Sequence, residues 1–435
     1  MTEPSAGHGS HLVVGAGVIG GRVAQLLAER GERVLVVSRR GSGPAGVAGV
    51  AADAADAEAM ARVAEGAAVI YNCVNPPYHR WPADWPPIAA SVLGAAERSG
   101  AVLVTLSNLY GYGPAARSLG SDGYDEAHPM TEATPLAATG RKGRVRAQVW
   151  QDALAAHLAG RVRAAEVRGA DFLGPGAVSA LGERVVRRIR RGQSVSVLGS
   201  AERPHTWSFT EDVAGMLVVA GTDPRAWGRA WHVPSNAPRS QREVIEDFAA
   251  AAGSGPVRVR AIPPAAVRAM GLVWPLMREL RETEYQFRDD FIMDSSAAQE
   301  TFRLAPTPWD EIVAATLGAG RQDGRRAAAL AGEEAVGTYL GEVLRDRGLV
   351  AAFGDAGLEL AEGPDGQQRV GVVQRPDHVD EAELVVQPER GVTEAVRAYL
   401  VQLGVHGAGE LGVGVGLAGL DPVADDSLVH VDLLL

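Results

Sequence analysis

From residue 11 to about residue 317, short apolar runs alternate with longer stretches in which apolar residues return every three or four positions. The runs at 12–14, 34–37, 47–51, 67–71, 102–106, 163–167 and 230–233 read as strands. Between them lie helical patterns: Val18, Val23, Leu26 and Leu27 ahead of Gly31, then 56–65, 88–99 and 144–158. Strands separated by helices at this spacing predict an α/β fold with a parallel sheet wound on both faces. Further helices are expected at 180–191, a basic segment with Val185, Val186 and Ile189 as a buried stripe, and at 240–252, 264–270 and 277–286. The segment 306–317 closes this unit. Segments 175–200 and 236–318 read together as a small substrate subdomain.

After residue 333 the rhythm changes. A helix at 333–347 precedes short apolar runs at 350–353, 358–361, 369–374 and 383–387. A helix at 393–403 and runs at 411–417 and 428–434 follow, the pattern of a small α+β module. Charge marks the same division. Residues 325–435 hold 19 of the 53 acidic side chains and 8 of the 42 basic ones, which leaves 34 of each sign before them. The segment GAGRQDGRR (318–326) reads as a linker. The expected organisation is a flexible terminus at 1–9, a sheet domain with its subdomain at 10–320, and an acidic accessory domain at 326–435. His378 lies among Asp377, Asp380 and Glu381, which reads as a solvated acidic loop rather than a metal site.

The first strand runs directly into Gly15-Ala16-Gly17-Val18-Ile19-Gly20, and a helix follows. In a strand–turn–helix setting each glycine has a task. Gly15 permits the tight turn, Gly17 lets backbone approach a pyrophosphate, and Gly20 lets the helix pack close to the strand. The helix start at Val18 and Ile19 supplies N–H groups and the positive end of a dipole. The next strand ends in Ser38-Arg39-Arg40. An acid at that point would bind the ribose hydroxyls of NAD; two guanidiniums suit a 2′-phosphate, so NADP is expected over NAD. The same arginines would also serve as a solvated loop. Asp53, after the third strand, is expected at the adenine edge.

Composition narrows the function. A chain of 435 residues, 46% of them apolar, can fill two or three domains. The one cysteine, Cys73, excludes an intrachain disulfide. The N-terminus lacks a secretory pattern, and no run of about 18 apolar residues is present, so a soluble cytoplasmic protein without a membrane role is expected. A net charge of −11 argues against a nucleic-acid partner. A small-molecule substrate is the expected partner, and a homodimer is compatible with the sequence. Of 42 basic residues, 41 are arginine; the single lysine, Lys142, stands out as a position where an ammonium is required, or as a chance survivor of compositional bias.

The glycine turn, SNLYGYGP (107–114), MTEATPLAATGRKGRVRA (130–147), RGADFLGPG (168–176) and HTWSFTEDVA (205–214) carry a resemblance. Residues 11 to about 318 resemble the NAD-dependent epimerase/dehydratase family, in the extended and atypical branch of the short-chain dehydrogenase/reductase superfamily. The resemblance implies a Rossmann-type fold and a nicotinamide dinucleotide; the acidic module carries no such resemblance. Active members pair a Tyr, which exchanges the proton, with a Lys four residues later that lowers its pKa and binds the nicotinamide ribose. Here Ala138 precedes Lys142 by four residues, and in a second register Lys142 and Arg146 take the two places on one side of a helix. Neither register supplies a Tyr.

Replacements are therefore sought. Ser107, Asn108 and Tyr110 follow the fifth strand at the carboxyl edge of the sheet, where ligands bind in such folds. Tyr110 is a candidate proton donor or a packing aromatic. Lys142 is a candidate acid if Arg141, Arg144 and Arg146 depress its pKa. His205 is a third candidate donor or a structural hydrogen-bonding residue. The proline-rich loop 75–87 brings Tyr78, Trp81 and Trp85 either to wall a pocket for an aromatic substrate or to cap the sheet. The reading is an NADP-dependent oxidoreductase acting on a carbonyl or alcohol of a small organic molecule, such as an aromatic or polycyclic secondary metabolite. Lys142, Tyr110 and Ser107 would be catalytic, with Tyr78, Trp81, Asn108 and His205 around the substrate. A non-redox dehydratase, epimerase or cyclase that retains the nucleotide, and a non-catalytic nucleotide sensor, are the alternatives.

Overall fold

The computed structural model describes residues 10–114, 127–262, 267 and 282–322, and beyond them three short strands at 358–362, 368–372 and 429–431. The chain divides into two compact units, Met1–Arg321 and Gln322–Leu435.

The first unit is built on a parallel seven-stranded sheet. Its strands are β1 (Ser10–Val14), β2 (Val34–Ser38), β3 (Ala48–Ala51), β4 (Ala67–Asn72), β5 (Val102–Asn108), β6 (Arg163–Gly169) and, after three short strands, β10 (Ala230–His232). They lie in the order β10-β6-β5-β4-β1-β2-β3. The chain therefore winds outward in both directions from a switch between β1 and β4, the place where ligands bind in doubly wound sheets. Alternation along each strand feeds two cores. Leu12, Val14, Ile70 and Leu103 face a layer made by α2 (Ala57–Val63), α3 (Trp81–Ser99) and α4 (Arg141–Leu158). Val13, Val69, Tyr71 and Val104 face α1 (Val18–Glu29) and α6 (Thr210–Thr222). Strands covered on both faces in this way read as continuous apolar runs.

A third core unites α5 (Glu183–Arg190), α7 (Gln241–Ala252), a parallel pair of short strands, β8 (Val195–Val197) and β11 (Val259–Ala261), and the helix Trp309–Gln322. Val185, Val186 and Ile189 are its buried stripe. Two further short strands, β7 (Asp171–Leu173) and β9 (Trp207–Phe209), pair in parallel beside the carboxyl end of β6. In the second unit β12 (Leu358–Glu362), β13 (Gln368–Val372) and β14 (Val429–Val431) form an antiparallel sheet. The other elements expected after residue 333, together with His378, residues 1–9, the helix at 264–270 apart from Val267, and the start of 277–286, lie outside the described residues. No helix among the described residues is long and apolar enough to cross a membrane.

Several boundaries differ from the expectation. The proline-rich segment 75–87 is largely not a loop: a 3-10 turn at Tyr78–Arg80 leads into α3 at Trp81, seven residues ahead of the expected start. Pro82 sits in the first turn, where a missing N–H breaks no bond. Pro86 and Pro87 lie further in, and the burial of Trp81, Trp85, Ile88 and Val92 along one face outweighs the bonds they omit. Helix α4 begins at Arg141 rather than 144, which places Lys142 in its first turn. Helix α5 is confined to Glu183–Arg190, shorter than 180–191, because Gly182 serves as its N-cap.

Candidate active site

At the switch point the glycine turn is built by steric demand. Gly15 has φ +105°, a conformation that L side chains rarely adopt, and an added Cβ would lie 2.8 Å from the Cys73 carbonyl oxygen at the end of β4. A Cβ on Gly20 would overlap the Gly15 carbonyl oxygen and meet the Cys73 side chain. Gly17 differs: nothing lies within 4 Å of a Cβ built there. It is the N-cap of α1, offers no side-chain cap, and no acid occupies the first turn. The first N–H groups of α1 are thus left for an external anion, and an approaching pyrophosphate meets no side chain at Gly17. Val18 is exposed, whereas Ile19 packs into the core and can contribute only its backbone. A cavity of about 290 Å³ adjoins the turn, lined among others by Gly17, Val18, Arg22, Pro175 and Glu211. The residues present fit the dinucleotide that the turn implies.

Around the ends of β2 and β3 the side chains are exposed or half-buried. Ser38 Oγ donates to the Ser42 carbonyl at 2.9 Å. Arg39 and Arg40 are exposed. Asp53 accepts the Ala55 N–H at 2.9 Å, an Asx turn that leads to Asp56, the N-cap of α2. Cys73 is buried, and burial pushes its thiol up to about 12.

The second half of the site lies at the end of β5. Ser107 is buried on that strand opposite Arg168, and Asn108 Oδ1 accepts the Tyr110 N–H, closing a 3-10 turn over Leu109–Gly111. The Tyr110 ring is buried among apolar side chains, and its hydroxyl meets that of Tyr78 at 2.7 Å. Burial raises the pKa of both phenols, Tyr110 well above its ordinary value. Lys142 is 1% exposed. Its ammonium is 3.3 Å from Glu282 Oε2 and 5.7 Å from the centre of the Tyr78 ring. Glu282 Oε1 accepts the Lys142 backbone N–H at 2.6 Å, so one carboxylate caps α4 and neutralises its lysine. The expected surroundings of Lys142 are thereby corrected. Arg141 and Arg144 are exposed, and the group against the ammonium is an acid 140 residues away in sequence.

Arg146, one turn on, is 6% exposed and held between two indoles, 4.7 Å from the Trp81 ring centre and 4.2 Å from that of Trp85. Its Nη1 donates to the Leu106 carbonyl at 3.2 Å, and its Nε is buried without a partner. Burial lowers its pKa to about 10, although the charges of Glu166 and the two phenols oppose the shift. Trp81 and Trp85 are thus core residues that cage a cation. His205 is also buried, stacked near Phe287 and Phe291, with Nδ1 on the Gln286 carbonyl at 3.1 Å and Nε2 on Asp171 at 3.0 Å. The Gln286 side-chain nitrogen donates to the Thr283 carbonyl at 3.1 Å. Tyr110, Glu282, Thr283, Tyr285 and the backbone at Gly140 and Gly143 line a cavity of about 220 Å³ beside this group.

A buried network braces the same edge of the sheet. Arg168 donates to Glu166 at 2.6 Å and to the Tyr112 hydroxyl at 2.7 Å. His232 Nδ1 donates to the Asp294 carbonyl, which fixes the tautomer, so Nε2 accepts from Tyr112 at 2.6 Å. Burial lowers the His232 pKa to about 4 and raises that of Tyr112 to about 12. Glu282, Gln286, Asp171 and this network escaped the sequence reading, since each acts through a partner distant in the chain. The one available signal was the isolation of Lys142 and the four-residue spacing to Arg146.

No curated protein matches the chain in sequence. Among solved structures, the enzyme WbmH of Bordetella bronchiseptica, in complex with NAD+, is 18% identical, with a TM-score of 0.55 over 73% of this chain and 99% of that one. UDP-glucose 4-epimerase of Thermotoga maritima, with UDP-glucose, is 17% identical, with a TM-score of 0.58 over 73% and 100%. The dTDP-glucose 4,6-dehydratase of Bacillus anthracis, in complex with NAD, is 15% identical, with a TM-score of 0.58 over 72% and 97%. At these identities the likeness is one of fold. The profile of the NAD dependent epimerase/dehydratase family matches residues 11–233, more than half of the sequence, and the chain belongs to that family.

Proposed function

We propose that the protein is an NADP-dependent oxidoreductase of the extended short-chain dehydrogenase/reductase type, acting on a carbonyl or alcohol carbon of a small organic molecule. The observation that carries this reading is the pairing of two half-sites along one sheet edge. An anion-binding helix start follows β1, and a lysine and two hydroxyl-paired phenols stand at the end of β5. A nicotinamide dinucleotide bound there would supply or accept a hydride. Gly15, Gly17 and Gly20 shape the turn that receives its pyrophosphate, with the backbone at Val18 and Ile19. Ser38, Arg39 and Arg40 hold the 2′-phosphate, and Asp53 stands toward the adenine edge. Lys142 binds the ribose and polarises the reacting oxygen, and Tyr110 with Ser107 passes the proton. Asn108 and His205 order the substrate side, with Tyr78 as its aromatic wall and Trp81 packed behind it in the core.

A second reading is favoured by one specific observation. Neither Ala138 nor Lys142 is the tyrosine that the family uses, which suits a non-redox dehydratase, epimerase or cyclase that keeps the nucleotide. The names of the solved neighbours, two of which bind or act on nucleotide sugars, suggest UDP-glucose as a further substrate to try. The test is absorbance at 340 nm with NADPH and a panel of aromatic aldehydes, quinones and UDP-glucose, with Lys142→Ala alongside. Nucleotide oxidation abolished in Lys142→Ala supports the oxidoreductase. Turnover of a substrate with no net change in nucleotide supports the non-redox reading instead.

A further inference from the structure

We propose that Asp171 is the residue that exchanges the proton with the substrate oxygen, and that His205 is a positioning residue that holds Asp171 and relays its proton. The inference rests on the oxidoreductase reading and changes which residue moves the proton. The hydrogen bonds of His205 leave it little freedom. Its Nδ1 lies 3.1 Å from the Gln286 carbonyl oxygen, which can only accept, so Nδ1 carries a hydrogen. Its Nε2 lies 3.0 Å from Asp171 Oδ2. With Nδ1 protonated, that second contact is a hydrogen bond only if a further proton lies between Nε2 and the carboxyl group. The pair therefore shares one proton, as a carboxylic acid facing an imidazole or a carboxylate facing an imidazolium.

The two partners are placed differently. The His205 ring is 1% exposed, with Phe287 and Phe291 stacked at 4.9 and 5.3 Å and Trp207 tilted against it at 4.6 Å. Three aromatic rings around it favour the charged form of the imidazole. Backbone bridges to Arg239 and Phe291 hold the residue in place. The Asp171 side chain is 17% exposed, and among the described residues its Oδ1 takes no hydrogen bond, so one oxygen is anchored and the other is open. The sheet brings that carboxylate to the end of β5. Asn108 pairs with Gly169, Leu109 and Ala170 pack in one apolar cluster, and the residues that follow are Tyr110 and Asp171. Pairing of β7 with β9 then sets Asp171 opposite Trp207. Tyr285 lines the cavity beside Tyr110, and the next residue, Gln286, supplies the carbonyl that holds His205. The Tyr110 hydroxyl, by contrast, is engaged by Tyr78 at 2.7 Å, and among the described residues no carboxylate or imidazole hydrogen-bonds it to take its proton.

In the oxidative direction the substrate O–H bond breaks and its proton passes to Asp171 Oδ1, while the shared proton settles on His205 Nε2. The substrate C–H bond breaks, and its hydrogen leaves with the electron pair for the oxidised nicotinamide dinucleotide. The products are the carbonyl compound, the reduced dinucleotide, a neutral Asp171 carboxyl group and a His205 imidazolium within its aromatic rings. Solvent removes the extra proton at the open Asp171 oxygen. Reduction runs the same steps backward. Tyr78 and Tyr110, the titratable groups that face Asp171, are kept protonated by burial and by its charge.

The test uses the full chain labelled with isotopic nitrogen in histidine, and the His205 ring resonances are assigned with His205→Gln. Without ligand at neutral pH, Nδ1 is expected to carry a hydrogen, and Asp171→Asn is expected to displace the Nε2 resonance. A bare Nδ1, or an Nε2 resonance unmoved by Asp171→Asn, overturns the pair. The kinetic arm uses NADPH with benzaldehyde and, in reverse, oxidised dinucleotide with benzyl alcohol. Asp171→Asn should lose about 100-fold or more in kcat with the KM for NADPH unchanged, while His205→Gln loses about tenfold and displaces the pH profile. Rates of the unsubstituted enzyme in mixtures of light and heavy water need no variant to fold. They should fall along a curve, since two protons move in one step; a straight or flat line overturns the relay. Full kcat in Asp171→Asn overturns the role of Asp171 and leaves the oxidoreductase reading standing. Failure across the whole carbonyl panel by the unsubstituted enzyme removes that reading and the proton step with it, and the histidine resonances still decide whether the pair shares a proton.

Discussion

The two halves of the candidate site are built in opposite ways. The glycine turn uses six consecutive residues whose shape is set by backbone sterics, and its neighbours are the strands on either side of the switch point. The end of β5 is assembled from residues 78, 110, 142, 146 and 282, carried on four separate segments. One half presents backbone N–H groups and needs no side chain. The other buries two cations and two phenols and depends on each partner for the stability of the next. A local motif survives changes elsewhere in the chain; a distributed one fails at its weakest contact.

This contrast can be broken most severely at Gly20. Its Cβ would overlap the Gly15 carbonyl, so Gly20→Ala should cost about 3 kcal/mol or more in thermal or denaturant unfolding and abolish nucleotide binding. Gly17→Ala sharpens the point, because nothing stands near its Cβ. It should cost at most about 1 kcal/mol while weakening nucleotide binding tenfold or more, measured by calorimetry on the same preparation. Comparable losses of stability in the two variants would contradict the assignment of Gly17 to the ligand.

In the distributed half, Arg146→Ala should cost about 3 kcal/mol, since it leaves a void between two indoles and removes two cation–π contacts. Arg146→Met fills that void without a charge and should recover most of the loss, because an unpaired buried cation contributes little net stability. If Met is as damaging as Ala, the charge rather than the packing holds the cage. Glu282→Gln keeps an acceptor for the Lys142 N–H and loses the ion pair. About 1–2 kcal/mol is expected, since the lysine is buried and the carboxylate partly wetted.

A further effect concerns pH. The His232 pKa is lowered to about 4 by burial, with Glu132, Asp294 and Arg168 the charged groups that face it. The unfolded chain, with an ordinary histidine pKa near 6.5, takes up a proton that the folded state refuses. Stability is therefore full above about pH 6.5 and declines as pH falls toward 4. The Tm of the unsubstituted protein should drop across that window, and His232→Gln should show a shallower slope. Identical slopes would mean that other groups account for the acid sensitivity.

How much was legible in the sequence follows the same division. The glycine turn, the alternation of strands and helices in a parallel doubly wound sheet and the place of Tyr110 just past β5 are local patterns legible in the sequence, whereas Ser107 and Asn108, expected after the fifth strand, are its last two residues. Helix α3 was missed by seven residues because prolines argue against a helix, and only the burial of Trp81 and Trp85 overrules them. Those two indoles were expected at a pocket wall; their contact with Arg146 involves a residue about 60 positions later, which no periodicity encodes. Lys142 was singled out by its rarity, but the carboxylate beside it was not, because Glu282 looks in sequence like any surface acid. The electrostatics of a buried site depend on which charges folding brings together, and that is not written in spacing.

The account's central claim is that the glycine turn and the arginines after β2 bind a phosphorylated nicotinamide dinucleotide. The most direct measurement is a titration with NADPH and NADH followed by nicotinamide fluorescence, on the unsubstituted protein and on Arg39→Ala. NADPH should bind at least tenfold more tightly than NADH, and Arg39→Ala, at an exposed position where Tm should not change, should erase most of that preference. Binding of neither nucleotide, or a preference unchanged by Arg39→Ala, would contradict it.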